Sequence, residues 1–280
     1  MQWRVLGLVV AVGCSQPARP RDEDPVRAAG APRPSPAPID GAAPGQPRPE
    51  PGMGASARAR SQGAEAAVAR TDAPSSSDLR DLPNLVDAPM AWSDERARLT
   101  LDYRRQHSDP DATDLTIEPH VIVLHYTAGG SATGTRRYFD NVRMEAARKE
   151  LARAGAVNVS AHFLVDRDGT IYQLQPPTRF ARHCIGLNHV AIGIENVGDE
   201  AKFPLTDAQI EADAALVRAL AARYRITHLL GHHEVMKFRK HPYYVERDAA
   251  YKNEKPDPGP RFMAAVRARV ADLKLAGLGS

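Results

Sequence analysis

The stretch VIVLHYTAGG, Val121 to Gly130, constrains the fold more than any other part of the chain. Four apolar residues, three of them β-branched, run without polar interruption into a histidine, and a glycine pair follows. Such a run suits a strand buried on both faces, as in a parallel sheet, that ends in a loop. His125 then sits at the carboxyl end of that strand. AIGIEN carries Glu195 to the end of a second apolar run, and ITHLLGHHE carries His232 to the end of a third. Parallel neighbours would gather these groups at one sheet edge, where ligands bind in open α/β sheets. The expectation is a metal site assembled there, and it requires the side chains to converge.

The rest of the chain is uneven. From Ser15 to about Asp81 it is mostly Pro, Ala, Arg, Gly, Ser and acidic residues, with almost no large apolar side chain to offset the entropy of ordering. Residues 15–81 therefore read as a disordered linker ahead of one folded domain, 82–280, of roughly two hundred residues, enough for a substantial core. A formal net charge of +3 is slight for 280 residues, and neither a basic stripe nor interleaved aromatics argue for a nucleic-acid partner.

Residues 1–14 read as an address. Arg4 precedes the apolar run Val5 to Val12, then Gly13 and Cys14, a segment too short for a permanent membrane helix but suited to a signal peptide. AVGC resembles a lipobox, whose cysteine becomes the lipidated first residue, although Ala11 stands where bacterial lipoproteins usually carry Leu. A plain cleaved signal with a chance cysteine is the alternative. Ser15 after the cysteine resembles an outer-membrane sorting signal. The expectation is an exported, monomeric lipoprotein on the outer membrane facing the periplasm, touching the membrane through its anchor alone and tethered by the linker. Lipidation would consume one of two cysteines and leave Cys184 as a small buried thiol.

Ser93 before DERARLTLDYRRQ predicts a helix over Trp92–Gln106 packed through Leu99, Leu101 and Tyr103. Ile117–Tyr126 is expected as the first central strand, with helices at Thr135–Asn141 and Met144–Ala154. In Ser160–Gln175 two β-rich runs flank Asp168-Gly169, the pattern of an antiparallel hairpin. A loop over Pro176–Asn188 leads into a strand at Val190–Val197. Thr206 and Gln209 form a capping-box pattern before IEADAALVRALAARY, and Ile226–Leu230 is a further strand. A long polar loop, His233–Gly259, precedes a last helix, Pro260–Leu275, and loops of that length are usually functional or mobile.

Ten histidines guarantee coincidences, and His107, His120, His189, His228 and His241 read as ordinary. His125 and His232 differ because each ends an apolar strand near glycine, where a ring can face a cleft while its backbone stays ordered. A catalytic zinc site uses three protein ligands and one open position. KPDPGPRF, Lys255 to Phe262, offers Asp257 between two prolines, with Lys255 two residues earlier on the same face of an extended segment. A helix-capping aspartate and a solvated lysine are the plainer reading of those two residues.

HYTAGG, SAHFLVDRDGTIYQL, RHCIGLN, AIGIENVG, LLGHHEV and KPDPGPRF occur in the order and approximate spacing of zinc-dependent N-acetylmuramoyl-L-alanine amidases of the type 2 family. Over roughly Ile117 to Phe262 the chain resembles that family, whose fold is shared with peptidoglycan recognition proteins. The resemblance implies an α/β fold with a central mixed β-sheet flanked by helices. It implies Zn2+ held by His125, His232 and Asp257, Glu195 as base, Lys255 as the group that stabilises charge, and His183 and Asn188 along the substrate cleft. The family ligand directly follows glycine in GHHEV, which selects His232 over His233, and strand alternation agrees that both cannot face one metal. His162 matches a recurrent family histidine whose role is structural or is to support the site residues from behind. The separation between His232 and Asp257 is longer than in many members, and the extra segment, including HPYYVERDAAY, is expected to wall the cleft. The reaction implied is hydrolysis of the amide joining N-acetylmuramic acid to L-alanine in peptidoglycan or its muropeptide fragments. Its rivals are a non-catalytic peptidoglycan-binding module of the same fold, a zinc peptidase cutting within the stem peptide, and a structural tether. The first would tend to lose a ligand, the second has no HExxH helix here, and the third leaves the polar groups unexplained.

Overall fold

In the computed structural model, which describes residues 79–252 and 254–278, six strands form one mixed sheet. They are β1 (Leu85–Asp87), β2 (Val121–Tyr126), β3 (Phe163–Val165), β4 (Ile171–Gln173), β5 (Ala191–Asn196) and β6 (His228–Gly231), in the order β1-β4-β3-β5-β2-β6. β3, β5, β2 and β6 run parallel, β4 returns antiparallel beside β3, and β1 pairs parallel with β4. Five α-helices accompany the sheet: α1 (Asp94–His107), α2 (Ala132–Asp140), α3 (Lys149–Arg153), α4 (Asp207–Arg223) and α5 (Pro260–Arg269). The expected central mixed sheet flanked by helices is what is seen. The expected signal segment, Cys14 and the linker up to residue 78 lie outside the described residues.

Both faces of the central strands are covered, which is why their sequences read as unbroken apolar runs. Ile122, Leu124, Ile192, Ile194 and Leu229 pack with Leu216, Val217 and Leu220 of α4 and with Phe262, Met263 and Val266 of α5. Val121, Val123, Ala191 and Leu230 pack the other way, against Cys184 and Leu187 of the 176–190 loop and against Val235 and Phe238 of a 3-10 turn, His232–Phe238. This period of two places His125 and Glu195 on the loop side of the sheet and Asn196 on the helix side.

The capping box of α4 forms in full: the Thr206 side chain accepts from Gln209 N, and Thr206 N donates to Gln209 Oε1. Ser93 caps α1 by accepting from Arg96 N. The Asp168-Gly169 hairpin also forms, with Gly169 at φ +87, a conformation that a side chain disfavours. Elsewhere the expectations need correction. Met144–Arg148 is not helical, because Met144 N donates to Ala156 O and Arg143 bridges Val157, leaving only α3 as helix. Leu101 is half-exposed, since the inward stripe of α1 runs through Arg96, Leu99, Thr100, Tyr103 and His107. The first central strand begins at Val121 rather than Ile117, whose N–H instead donates to Thr178 O. Leu79–Asp81, assigned by composition to the linker, is a 3-10 turn with Leu79 buried in the main core. The last helix ends at Arg269 and a separate 3-10 turn follows over Ala271–Leu273.

The segment HPYYVERDAAY backs the 176–190 loop and ties it to α1. Val245 N donates to Gly186 O, and Tyr251 packs with Tyr103, Phe180 and Ile185. Glu246 Oε1 lies 2.8 Å from His107 Nδ1, both side chains being buried, while His107 Nε2 meets Ala154 O at 2.6 Å. His107 is therefore a structural tie within the core, in keeping with its reading as an ordinary histidine outside the site.

One titratable carboxyl lies under this sheet edge. Asn196 Nδ2 donates to Asp213 Oδ2 on α4 and to the His125 carbonyl, while Asp213 Oδ1 is buried without a partner among the described residues. Burial pushes the Asp213 carboxyl up to about 7, against the pull of Asn196. The folded state thus holds a proton that the unfolded chain releases near its ordinary value of 3.8. The stability linked to that proton is complete below about pH 4 and is lost as pH rises toward 7, on the order of 2–4 kcal/mol. Asp213→Asn removes the titration. In denaturant melts at pH 5 and pH 8, the variant's stability relative to wild type is expected to improve toward the higher pH.

Candidate metal centre

Three side chains from separate segments meet beyond the carboxyl ends of β2 and β6. His125 closes the buried run of β2, His232 directly follows β6, and Asp257 comes from the chain just ahead of α5. His125 Nδ1 lies 3.0 Å from His232 Nδ1 and 3.2 Å from Asp257 Oδ2, and His232 Nδ1 lies 3.2 Å from the same oxygen. The convergence expected from the sequence is met. Among the described residues this is the group of His, Cys, Asp and Glu side chains placed to hold a metal ion.

The donor set fits one small divalent cation. Lone pairs aimed at a common point repel unless a proton or a cation sits among them. A tetrahedral zinc with bonds of about 2.0–2.2 Å sets its donors roughly 3.3–3.5 Å apart, close to the spacing seen here. The charge states also suit. Burial lowers the His125 imidazole to about 4 despite the Asp257 carboxylate facing its Nδ1, so the ring is neutral near pH 7. Burial alone would raise the Asp257 carboxyl, but the facing His232 and His125 outweigh it and hold the group far below the usual carboxylate range. A neutral imidazole and an ionised carboxylate are the forms that bind metal.

Glu195 stands beside His125, since the two are register partners across β5 and β2. Its Oε2 is buried with no hydrogen-bond partner among the described residues. Burial, reinforced by the Asp257 charge, raises the carboxyl to about 8 against the opposing pull of Lys255 and Arg148. A carboxyl poised near neutrality at the edge of a cation site is placed to take a proton and return it. Lys255 is half-buried, and its charge acts on both Glu195 and His125.

His183 and Asn188, which the resemblance places along the substrate cleft, lie beside His125 and are held by contacts within the protein. Both ring nitrogens of His183 are engaged, Nδ1 with His125 Nε2 at 3.0 Å and Nε2 with the Ala191 carbonyl at 3.2 Å. Asn188 is buried, and its Oδ1 accepts from His183 N and Cys184 N, which shapes the turn that carries His183. His162 is buried with Nδ1 accepting from Gly193 N and Nε2 donating to Arg179 O, as its structural assignment requires. The Cys184 thiol is buried and pushed well up by that burial, which excludes it as a nucleophile near neutral pH.

The sequence profile of the family described as N-acetylmuramoyl-L-alanine amidase matches residues 115–260, just over half of the chain. The chain belongs to the N-acetylmuramoyl-L-alanine amidase family. Escherichia phage T7 endolysin is 34% identical over 100 residues, which cover 34% of this chain and 66% of the phage protein. Peptidoglycan recognition protein 3 of Mus musculus is 28% identical over 118 residues, covering 41% of this chain and 33% of the mouse protein. The chain thus spans just under two thirds of the phage endolysin and one third of the mouse protein. Among solved structures, the N-acetylmuramoyl-L-alanine amidase LysC from Clostridium intestinale URNW is 23% identical, with a TM-score of 0.44 over 68% of this chain and 98% of that one.

Two further residues hold the centre of this family member in place. His233 anchors Asp257 from behind, donating to the Asp257 carbonyl from both its backbone N–H and its ring Nδ1. Glu234 accepts from Gly231 N and receives two bonds from Arg267 of α5, which also donates to the Leu229 carbonyl. Burial would raise the Glu234 carboxyl, but Arg267 and the Gly231 amide outweigh it and hold the group below its ordinary value. The spacing Gly231 to Glu234 carried the signal for the first of these bonds, since it is the N-cap to N3 separation of a capping box. Nothing in the local sequence pointed to Arg267. Arg267→Ala leaves Glu234 without its cation and is expected to lower stability by about 1–3 kcal/mol in equilibrium denaturation. The same variant should weaken divalent-metal affinity measured by chelator competition, because the turn that begins at His232 loses its brace.

Proposed function

We propose that this chain is a zinc-dependent N-acetylmuramoyl-L-alanine amidase. In this reading it cleaves the amide between N-acetylmuramic acid and L-alanine in peptidoglycan or its muropeptide fragments. The observation that carries the proposal is the meeting of two imidazole nitrogens and one carboxylate oxygen within 3.2 Å, with an unpartnered carboxyl beside them. Family membership supports the choice of bond. His125, His232 and Asp257 would hold the ion, which when bound supplies a water of lowered pKa and polarises the scissile carbonyl.

The chain's own residues supply the rest. Glu195 accepts the proton of the attacking water and delivers it to the leaving nitrogen, a task for a carboxyl close to the cation site and outside its ligand set. Lys255 donates to the oxygen that gains negative charge, and one preorganised donor of this kind is typically worth about 3 kcal/mol of barrier. Burial of His125 and Asp257 keeps competing water away from the donor atoms. The leader motif around Cys14 extends the proposal to an exported protein, lipid-anchored at the outer membrane and facing the periplasm.

Incubation of purified sacculi or muropeptides with the protein, followed by mass spectrometry, is expected to release stem peptides with new L-alanine amino termini. A chelator should abolish the release and added zinc should restore it. Binding without release would favour the non-catalytic module, and other new termini would favour a stem-peptide peptidase. Glu195→Gln is expected to lower turnover by about 10²–10⁴-fold with zinc still bound, whereas His125→Ala should lose zinc and turnover together. Cys14→Ala should move the protein from the membrane fraction to the soluble fraction on cell fractionation.

A further inference from the structure

We infer that His183 is a positioning residue that selects which nitrogen of His125 faces the metal centre, and that the Ala191 carbonyl makes the selection through the His183 ring. The inference rests on the metal reading above and assigns His183 a different part from substrate contact. It begins at the backbone. The carbonyl of Ala191 can only accept, so the His183 nitrogen 3.2 Å from it, Nε2, carries the proton of that ring. No carboxylate is hydrogen-bonded to His183 among the described residues, and the ring lies against two other buried imidazoles, His125 at 5.2 Å and His162 at 5.7 Å between centroids. A second proton on His183 would therefore have no counter-charge beside it. Its Nδ1 is left as a lone pair and accepts from His125 Nε2 across 3.0 Å. His125 accordingly carries its proton on Nε2, and its Nδ1 lone pair points at His232 and Asp257. The opposite arrangement, with the proton on His183 Nδ1, would set the Nε2 lone pair against the carbonyl lone pairs of Ala191.

The fold holds this relay from several sides. Gly193 leaves the room for it: a Cβ there would lie 2.6 Å from Cγ of the His183 ring, so the ring rests directly on the β5 backbone. Asn188 fixes the start of the side chain by accepting from His183 N. His162 pins the strand beneath, its ring accepting from Gly193 N and its own N–H donating to Gly193 O. A ligand imidazole whose second nitrogen is anchored in this way binds metal more tightly, and loss of such an anchor typically costs about 10–100-fold in affinity.

The test compares His183→Leu, which fills the slot with no acceptor, and His183→Gln, which can accept from His125 and donate to Ala191, in the full chain. Zinc affinity is read by chelator competition, and the ring tautomer of His125 in the metal-free protein is read by long-range 1H–15N NMR. Expected are wild-type His125 protonated on Nε2, a loss of zinc affinity of about 10–100-fold in the leucine variant together with a mixed His125 tautomer, and recovery to within a few-fold in the glutamine variant. Wild-type affinity and an unchanged tautomer in the leucine variant would overturn the inference, as would a glutamine variant that folds yet loses as much affinity as leucine. If the leucine variant does not fold, the glutamine variant decides alone: a single His125 tautomer with zinc affinity near wild type supports the relay, and a mixed tautomer or weakened affinity overturns it. Failure of the wild-type protein to bind zinc would instead remove the metal reading itself.

Discussion

The period-two alternation of β2 and β5, locked by their parallel pairing, is the constraint on which the functional edge depends. Val121 pairs with Ala191 and His125 with Glu195, so both polar groups emerge on the same face at the same level. A slip of one residue would send Tyr126 and Asn196 to the loop side and turn His125 and Glu195 into α4. That slip is prevented by the apolar residues before them, which are fully buried against two different layers. The chemistry at the end of the strand is therefore held in place by the hydrophobic effect along its length.

The edge itself is costly to build. Among the described residues Glu195 Oε2, Asn196 Oδ1 and Asp213 Oδ1 are buried without partners, and the Glu195 and Asp213 carboxyls are raised by burial. Two imidazole nitrogens and a carboxylate oxygen also share a point that favours a cation. A polypeptide selected for stability alone would fill this volume with apolar side chains. The large sheet core and α4, with its complete capping box, offset that cost. The brace from Arg267 to Glu234 and the tie from Glu246 to His107 then steady the segments that carry His232 and His183.

Much of this was legible before any coordinates. Runs of β-branched residues identify β2 and β5, Thr206 and Gln209 identify the start of α4, and Asp168-Gly169 identifies the hairpin, because each signal is local and acts through backbone geometry. The short elements were not legible. β1 is three residues long, too few to show a period, and Met144–Arg148 has helical composition, yet Met144 bonds to residue 156 beside the Arg143–Val157 bridge. His183 and Asn188 were recognisable as residues of consequence, but whether they face a ligand or one another depends on how the 176–190 loop lies on β5. HPYYVERDAAY was recognisable as extra chain, but not as the strap that binds that loop to α1.

By itself the sequence determined that His125, Glu195 and His232 would lie at or just beyond the carboxyl ends of buried strands, since hydrophobic pattern dictates roughly where a buried strand starts and stops. It also determined, through motif order, the family to which the chain belongs. Only the tertiary structure decided that Asp257 closes the group with both imidazoles, that His183 meets the far nitrogen of His125, and that Arg267 braces the turn from another helix. These contacts join residues 25 to 132 positions apart along the chain. Distances of that kind follow from strand order and loop path, which no local pattern of residues encodes.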